Sequence, residues 1–303
     1  YLKTKAKENG FQILRTDRYL TPNNARNLGL SYVDTEYLVF CDNDVIVSPG
    51  WLTALMACAE ETDASIVGPL MCEKEPIHTR IHFAGGESHI VTDIYGKRHL
   101  REKMYKQGKQ VADLRPTLKR SPTELAEFHC VLVRREIMDR IGGQLDEAIL
   151  NTKEHLDFCM TVTQAGGTIY FEPDALVTYV PGSALAWSDL HYYMLRWSNA
   201  WKLESLQRLR QKWDLAEDGY FKTKYKKLNG RRQSLAVKPL SRSLTGGREY
   251  KPLTRILKRW EKRLNRLLTD RYAQQQAKRQ RALPSSPLAR EDKSPIGLQS
   301  TGR

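Results

Sequence analysis

The run Glu36-Tyr-Leu-Val-Phe-Cys-Asp-Asn-Asp-Val-Ile-Val-Ser-Pro-Gly-Trp51 constrains the fold most, because it carries a strand directly into two carboxylates spaced i, i+2. Tyr37 to Cys41 is short and nearly continuously apolar, the pattern of a strand covered on both faces in a parallel sheet. Asp42 and Asp44 stand where that strand ends. Ligands of open α/β sheets gather at the carboxyl ends of strands, and an aspartate there offers a hard oxygen to Mg²⁺ or Mn²⁺ while phosphate oxygens take other positions on the metal. The pair therefore suggests a site for a metal-bound diphosphate. Ser48-Pro49 predicts an N-cap and first helical position leading into Trp51 to Cys58.

Asp-x-Asp alone recurs by chance, so its surroundings decide its meaning. Thr21-Pro-Asn-Asn-Ala-Arg-Asn-Leu-Gly-Leu30 predicts a short helix entered through Thr21 and Pro22, at α/β loop spacing before the acidic strand. Arg26 and Asn27 lie either on a solvated helix face or toward an anionic ligand near Asp42. Tyr1 to Gly10 reads as the end of a helix feeding a strand over Phe11 to Arg15, so the chain is expected to begin inside a domain. Strands are also expected over Ala64 to Leu70 and over Ile81 to Val91, the latter bulged at Gly85 and Gly86 near a ligand. Strand-helix alternation from Phe11 to Leu70 implies a parallel sheet. Tyr95 to Pro122 lacks periodicity and reads as a long loop or lid.

Ala126 to Arg135 returns to strand, and Glu136 to Gly143 gives a short helix stopped by glycine. A helix N-capped at Thr152 runs to Gly166, with Glu154, His155 and Asp157 in its first turns. The helix dipole stabilises a carboxylate there, which is the plain alternative to a catalytic role. Thr168 to Pro173 is another strand, closing the sheet near Tyr179.

The charge is unevenly spread over the 303 residues: residues 1–221 carry 26 Lys and Arg against 30 Asp and Glu, and residues 222–303 carry 23 against 5, a net +14. Only the tail invites a polyanionic partner. Five cysteines without a CxxC pair argue against a disulfide framework and a structural zinc site and suit a reducing cytosol. The sequence has neither a membrane-spanning apolar run nor a signal peptide.

Taken together, the pieces resemble the family 2 glycosyltransferases with their GT-A fold, a Rossmann-like α/β mixed sheet here lacking its first strands and followed by C-terminal helices. The resemblance covers about residues 10 to 180. It rests on Asn24-Ala-Arg-Asn-Leu-Gly29, Phe40-Cys-Asp-Asn-Asp44 followed by Pro-Gly-Trp-Leu, His82-Phe-Ala-Gly-Gly86, Leu132 to Glu136 with Ile-Gly-Gly-Gln-Leu-Asp-Glu147, and Glu154-His-Leu-Asp-Phe-Cys159 before Gly166-Gly-Thr-Ile. It implies a nucleotide-sugar donor held by Asn24, Arg26, Asn27, Asp42, Asn43, Gly85 and Gly86. Mn²⁺ or Mg²⁺ would be held by Asp42 and Asp44 and would stabilise the departing diphosphate as a Lewis acid. The family motif at the acceptor is Glu-Asp, with the Asp as general base. Here Glu154 matches the Glu and His155 replaces the Asp, so the base is Glu154 or His155, with Asp157 an orienting or capping group. Inversion is the family expectation. Tyr179 stands where some members carry a metal-binding His, so His191 or His82 is a candidate substitute. The family's opening strand and nucleobase-holding segment have no counterpart, which implies N-terminal truncation.

Three domains follow: 1–183, the glycosyltransferase domain; 184–221, an aromatic amphipathic extension; and 222–303, a basic tail with one amphipathic helix and a disordered end. The extension packs on the first domain or lines an acceptor groove through Trp187, Tyr192 and Trp197, with Tyr193 and Trp201 beside them. Residues 222 to 250 read as a linker. Leu253 to Leu268 sets Lys and Arg against Leu, Ile and Trp, which suits an anionic membrane surface, a solvated helix or a coiled coil. A carbohydrate, lipid or protein acceptor and a cytoplasmic location, peripheral at the inner membrane face, complete the expectation. A nucleotidyltransferase, and a non-catalytic module binding nucleotide sugar, lipid or nucleic acid, are the competing classes.

Overall fold

The computed structural model describes residues 1–180, 189–248 and 250–282. Helix α1 (Leu2–Asn9) is followed by α2 (Pro22–Leu30), strands β1 (Tyr37–Cys41) and β2 (Val45–Val47), and α3 (Trp51–Thr62). Then come β3 (Ile66–Glu73), β4 (Ile81–Phe83), β5 (Gly86–Thr92), β6 (Arg98–Met104), α4 (Val111–Leu114) and β7 (Ser121–Pro122). β8 (Cys130–Arg134), α5 (Arg135–Arg140), α6 (Glu154–Gln164) and β9 (Ile169–Tyr179) complete the sheet-building part. The helices α7 (Leu190–Arg196), α8 (Asn199–Trp213), α9 (Gly219–Lys226), α10 (Gly230–Arg232), α11 (Lys238–Leu244) and α12 (Lys251–Ala282) follow.

The main sheet runs β1-β8-β3-β9-β2, with β4 on β3 and β7 on β9. It is a mixed sheet with C-terminal helices, as the family resemblance implies. It is not the all-parallel sheet that local alternation suggests. β8 lies antiparallel between β1 and β3, and among the described residues only β3 and β9 pair in parallel. Alternation of strand and helix is a local signal, whereas insertion of a later strand between earlier ones leaves no local trace. The core fills around β3, β8 and α6, where Ile66, Val67, Leu132, Val133 and Leu156 are buried.

Several local expectations need correction. Phe11 to Arg15 is not a strand: among the described residues no strand pairs with it, and Phe11 is exposed. The helix expected to begin at Ser48-Pro49 begins at Trp51, after Gly50 in the left-handed region at φ 77°. Thr152 is not the N-cap of α6; Lys153 occupies that position at φ 69°. Ile81 to Val91 is two strands broken at Gly85. The expected loop from Tyr95 to Pro122 instead contains β6, paired in full register with β5, as well as α4 and β7. β6 is hard to see in the sequence because Arg98-His-Leu-Arg-Glu-Lys-Met104 spends polar residues on ion pairs rather than on a bare solvent face. The expected linker, 222 to 250, is also helical over much of its length, and α9 crosses its start with Phe221 buried. By contrast, Thr21 caps α2 as expected, its Oγ1 accepting from the Asn24 amide at 3.2 Å, with Pro22 first in the helix.

Candidate active site

The carboxyl end of β1 is built by cross-strand register. Cys41 lies opposite Cys130, so the next residue, Asp42, meets His129 from the start of β8. The Asp42 amide donates to the His129 carbonyl at 2.9 Å. The His129 Nδ1 and Asp42 Oδ2 are 2.8 Å apart. Asp44 is held by the chain beyond it: β2 pairs with the end of β9, and the Val180 amide donates to the Asp44 carbonyl at 2.8 Å. Asn43, between the two acids, is exposed.

Ligand atoms of Asp42, Asp44 and His129 all lie within 4.8 Å of one another. His129 belongs equally to a second group with His82 and the buried Glu127. Burial and the neighbouring Asp42 charge raise the Asp44 pKa above the ordinary carboxylate range. Burial alone would lower that of His129, but its bond to Asp42 and the charges of Glu127 and Asp44 raise it. Glu127, despite burial, is drawn down to about 2 by His82, His155 and His129. Two carboxylates offer hard oxygens to Mn²⁺ or Mg²⁺, the imidazole suits the transition metal better than Mg²⁺, and crowded negative charge is what a cation relieves.

Histidine at 129 is the residue that sequence reasoning missed. Of the substitutes expected, His82 lies in the adjoining group, its Nε2 3.1 Å from Glu127, whereas His191 packs against Tyr19 with ring centroids 5.5 Å apart. Tyr179 is not a ligand in this arrangement; its ring stacks on His129 at 4.4 Å. The available signal was the i, i+2 spacing of Glu127 and His129 ahead of an apolar strand, which puts both on one side of the chain.

Arg26 lies in the electrostatic field of both Asp42 and Glu154, the first residue of α6. The guanidinium lies 3.9 Å from Asp42 and 4.0 Å from the centre of the Phe128 ring. Its pKa is lowered by burial and supported by the charges of both Glu154 and Asp42. Arg196 reaches the same field, acting on Arg26 and Asp44, and its buried Nε has no hydrogen-bond partner among the described residues. Arg231 approaches the Tyr179 hydroxyl at 3.4 Å. Alongside β1 a groove of about 480 Å³, lined by Leu30, Val33, Tyr37, Val39 and Phe128, ends at Arg26 and Asp42.

Placement sorts the other expected residues. Lys153 Nζ contacts both Glu102 carboxylate oxygens at 2.6 Å, tying the start of α6 to β6. His155 faces Glu127, Lys153, Glu102 and Glu154, and burial pushes its pKa below the ordinary imidazole value. Asp157 is committed elsewhere: it accepts from Lys212 Nζ and Trp213 Nε1, both at 2.7 Å. The Asn27 amide holds Leu145 and Glu147. Asn24 closes the α2 cap with Thr21. Gly85 has φ 76°, and Gly86 packs closely, since a Cβ there would sit 2.3 Å from the Lys103 carbonyl oxygen. Tyr192 donates to the Leu20 carbonyl at 3.2 Å. Trp197 is flanked by Arg196, Lys202 and Arg231, each 5.1 to 5.5 Å from its ring. Trp187 lies outside the described residues.

The mixed α/β sheet gathers an acid pair and a histidine at one end, with Arg26 in the electrostatic field of both Asp42 and Glu154. Residues 1–142, somewhat under half of the chain, match the profile of glycosyl transferase family 2. The chain is similar to the succinoglycan biosynthesis protein ExoM of Rhizobium meliloti, with 27% identity over 202 residues, 64% of this chain and 57% of that protein. It is also similar to the pre-mycofactocin glycosyltransferase of Mycobacterium tuberculosis, with 26% identity over 158 residues, 52% of this chain and 30% of the relative. The chain thus spans between about a third and somewhat over half the length of these relatives. Among solved structures, GalNAc-T7 with UDP, GalNAc and Mn²⁺ aligns at a TM-score of 0.41 and 13% identity, covering 76% of this chain and 48% of that one. S. aureus TarS aligns at 0.39 and 15%, covering 67% and 31%.

Proposed function

We propose that the chain transfers a sugar from a nucleoside-diphosphate sugar to an acceptor hydroxyl, with a divalent cation and with inversion. The observation that carries this reading is the convergence of Asp42, Asp44 and His129 at a crevice whose Arg26 feels both Asp42 and Glu154. Asp42, Asp44 and His129 would hold Mn²⁺ or Mg²⁺, which when bound supplies Lewis-acid stabilisation of the leaving diphosphate. The groove along β1 receives the nucleobase and ribose, with Asp42 at its end. Arg26 and Arg196 add positive charge beside the phosphates, in a partly dry setting where charge counts for more than in water.

Glu154 is the proposed base. It opens α6 and acts electrostatically on Arg26, and Lys153, anchored on Glu102, fixes the backbone from which it projects. Proton removal from the acceptor hydroxyl by one carboxylate, in a single displacement, leaves the sugar inverted. His155, whose pKa burial lowers, lies in the electrostatic field of Glu127. Tyr192 and Trp197 border the acceptor side.

Incubation of the chain with a panel of nucleotide sugars and Mn²⁺ tests the reading. Release of UDP or GDP, reduced at least about a hundredfold by Glu154→Gln when an acceptor is supplied, is the expected result. Pyrophosphate release from a nucleoside triphosphate would instead identify a nucleotidyltransferase, and no turnover of any donor would leave a binding module.

A further inference from the structure

Helix α12 is seated with its polar side inward. Thr254, Asn265 and Thr269 are buried. Thr254 shares a 2.7 Å hydrogen bond with Ser241, Asn265 donates to the Met194 carbonyl, and Glu261 pairs with the fully buried Arg232. Its large apolar residues point the other way: Ile256 is 51% exposed, Trp260 65%, Leu264 47% and Leu267 61%. Their spacing confines them to an arc of about 80° on the helix. Arg255, Arg259, Arg263 and Arg266, all exposed, border one side of that stripe.

We infer that this outward face of α12 docks on an anionic lipid surface. The apolar stripe would enter the boundary between headgroups and acyl chains while the bordering guanidinium groups meet lipid phosphates. The charge of the molecule is arranged to match, since residues 222–303 carry 23 basic against 5 acidic residues while the body is mildly acidic. A second copy packed antiparallel about a two-fold axis would set one arginine row against another. A nucleic acid would neutralise the arginines but leave Trp260 and its apolar neighbours in water. Because Arg232 joins Glu261 of α12 to the Trp197 carbonyl, docking would fix the bilayer relative to that end of the crevice. The inference does not depend on the reaction.

The test is co-sedimentation of the whole chain with vesicles of phosphatidylglycerol and phosphatidylcholine, against vesicles of phosphatidylcholine alone. Binding to the anionic vesicles is expected, weakened by high salt. It should fall at least about tenfold in both Trp260→Glu/Leu264→Glu and Arg259→Glu/Arg263→Glu. These positions are exposed, and an unchanged circular dichroism melt verifies folding. Absence of binding to anionic vesicles overturns the inference, as does loss in the arginine variant alone, which would reveal a purely electrostatic attachment. A dimer in light scattering that Trp260→Glu/Leu264→Glu abolishes would show that a second copy covers the stripe, and would overturn it as well.

Discussion

Asp44 shows how one residue can be poor for stability and useful for chemistry. Its pKa is raised by burial and by Asp42, so the folded state disfavours its charge at neutral pH. Asp44→Asn is therefore expected to raise the melting temperature of the metal-free chain while abolishing the further rise that Mn²⁺ gives the wild type; differential scanning fluorimetry with and without the ion reads both. Burial raises the pKa of Asp157 too, but its hydrogen bonds tie it into the fold. Its carboxylate holds Lys212 and Trp213, and Asp157→Ala leaves the Trp213 indole N–H and the Lys212 ammonium without their close acceptor, so denaturant unfolding should register a loss of about 3 kcal/mol. At this scale the sequence was informative where chemistry is local, as in the Asp42 and Asp44 pair. His129 was out of reach because it joins them only through the antiparallel register of β1 and β8, 87 residues apart in the chain. The bond of Asn27 to Leu145 was hidden for the same reason, since 118 residues separate the two.

The β5–β6 hairpin is the element that links the sheet to the site helix. Glu102 receives Lys153 on one side and Tyr220 on another, and its carboxyl is held down at about 2: burial opposes ionisation, but Lys153 and Lys224 outweigh it. Nothing in an apolar-polar pattern announces a strand that carries such contacts, which is why it reads as a loop. Gly86 at the head of the hairpin tests the packing directly. A methyl group there meets backbone rather than a yielding side chain, so Gly86→Ala should cost at least about 2 kcal/mol in urea unfolding. His99 at the other end bridges Asp218, the N-cap of α9, and Asp93, and these bonds raise its pKa. A raised imidazole contributes stability that is complete below its unfolded pKa, about 6.5, and is lost as pH rises through the higher folded value. The melting temperature should accordingly decline across that window, and His99→Gln should flatten the decline.

Across the whole molecule the C-terminal helices are part of the body rather than a tethered tail. Leu206, Leu209 and Trp213 of α8 and Phe221 of α9 enter the main core, and α12 reaches back to the N-terminal segment where Tyr272 donates to the Tyr19 carbonyl at 2.7 Å. Glycine, serine and basic residues between 222 and 250 suggested a linker because composition reports what a segment tolerates in water, not what it meets after folding. Arg232 decided otherwise: a fully buried guanidinium, satisfied by Glu261, Asn199 and the Trp197 carbonyl, pins the segment in place. Among the described residues no helix is long and apolar enough to cross a membrane.

The central claim is that Asp42, Asp44 and His129, brought together from two strands, hold one divalent cation at the mouth of the crevice. Electron paramagnetic resonance of free Mn²⁺ during titration into the chain measures this without reference to turnover. One bound ion is expected in the wild type, with affinity lowered at least about tenfold in both Asp44→Asn and His129→Ala and unchanged in His191→Ala, whose ring lies against Tyr19. Equal Mn²⁺ binding by the wild type and His129→Ala, or none by the wild type, would contradict it.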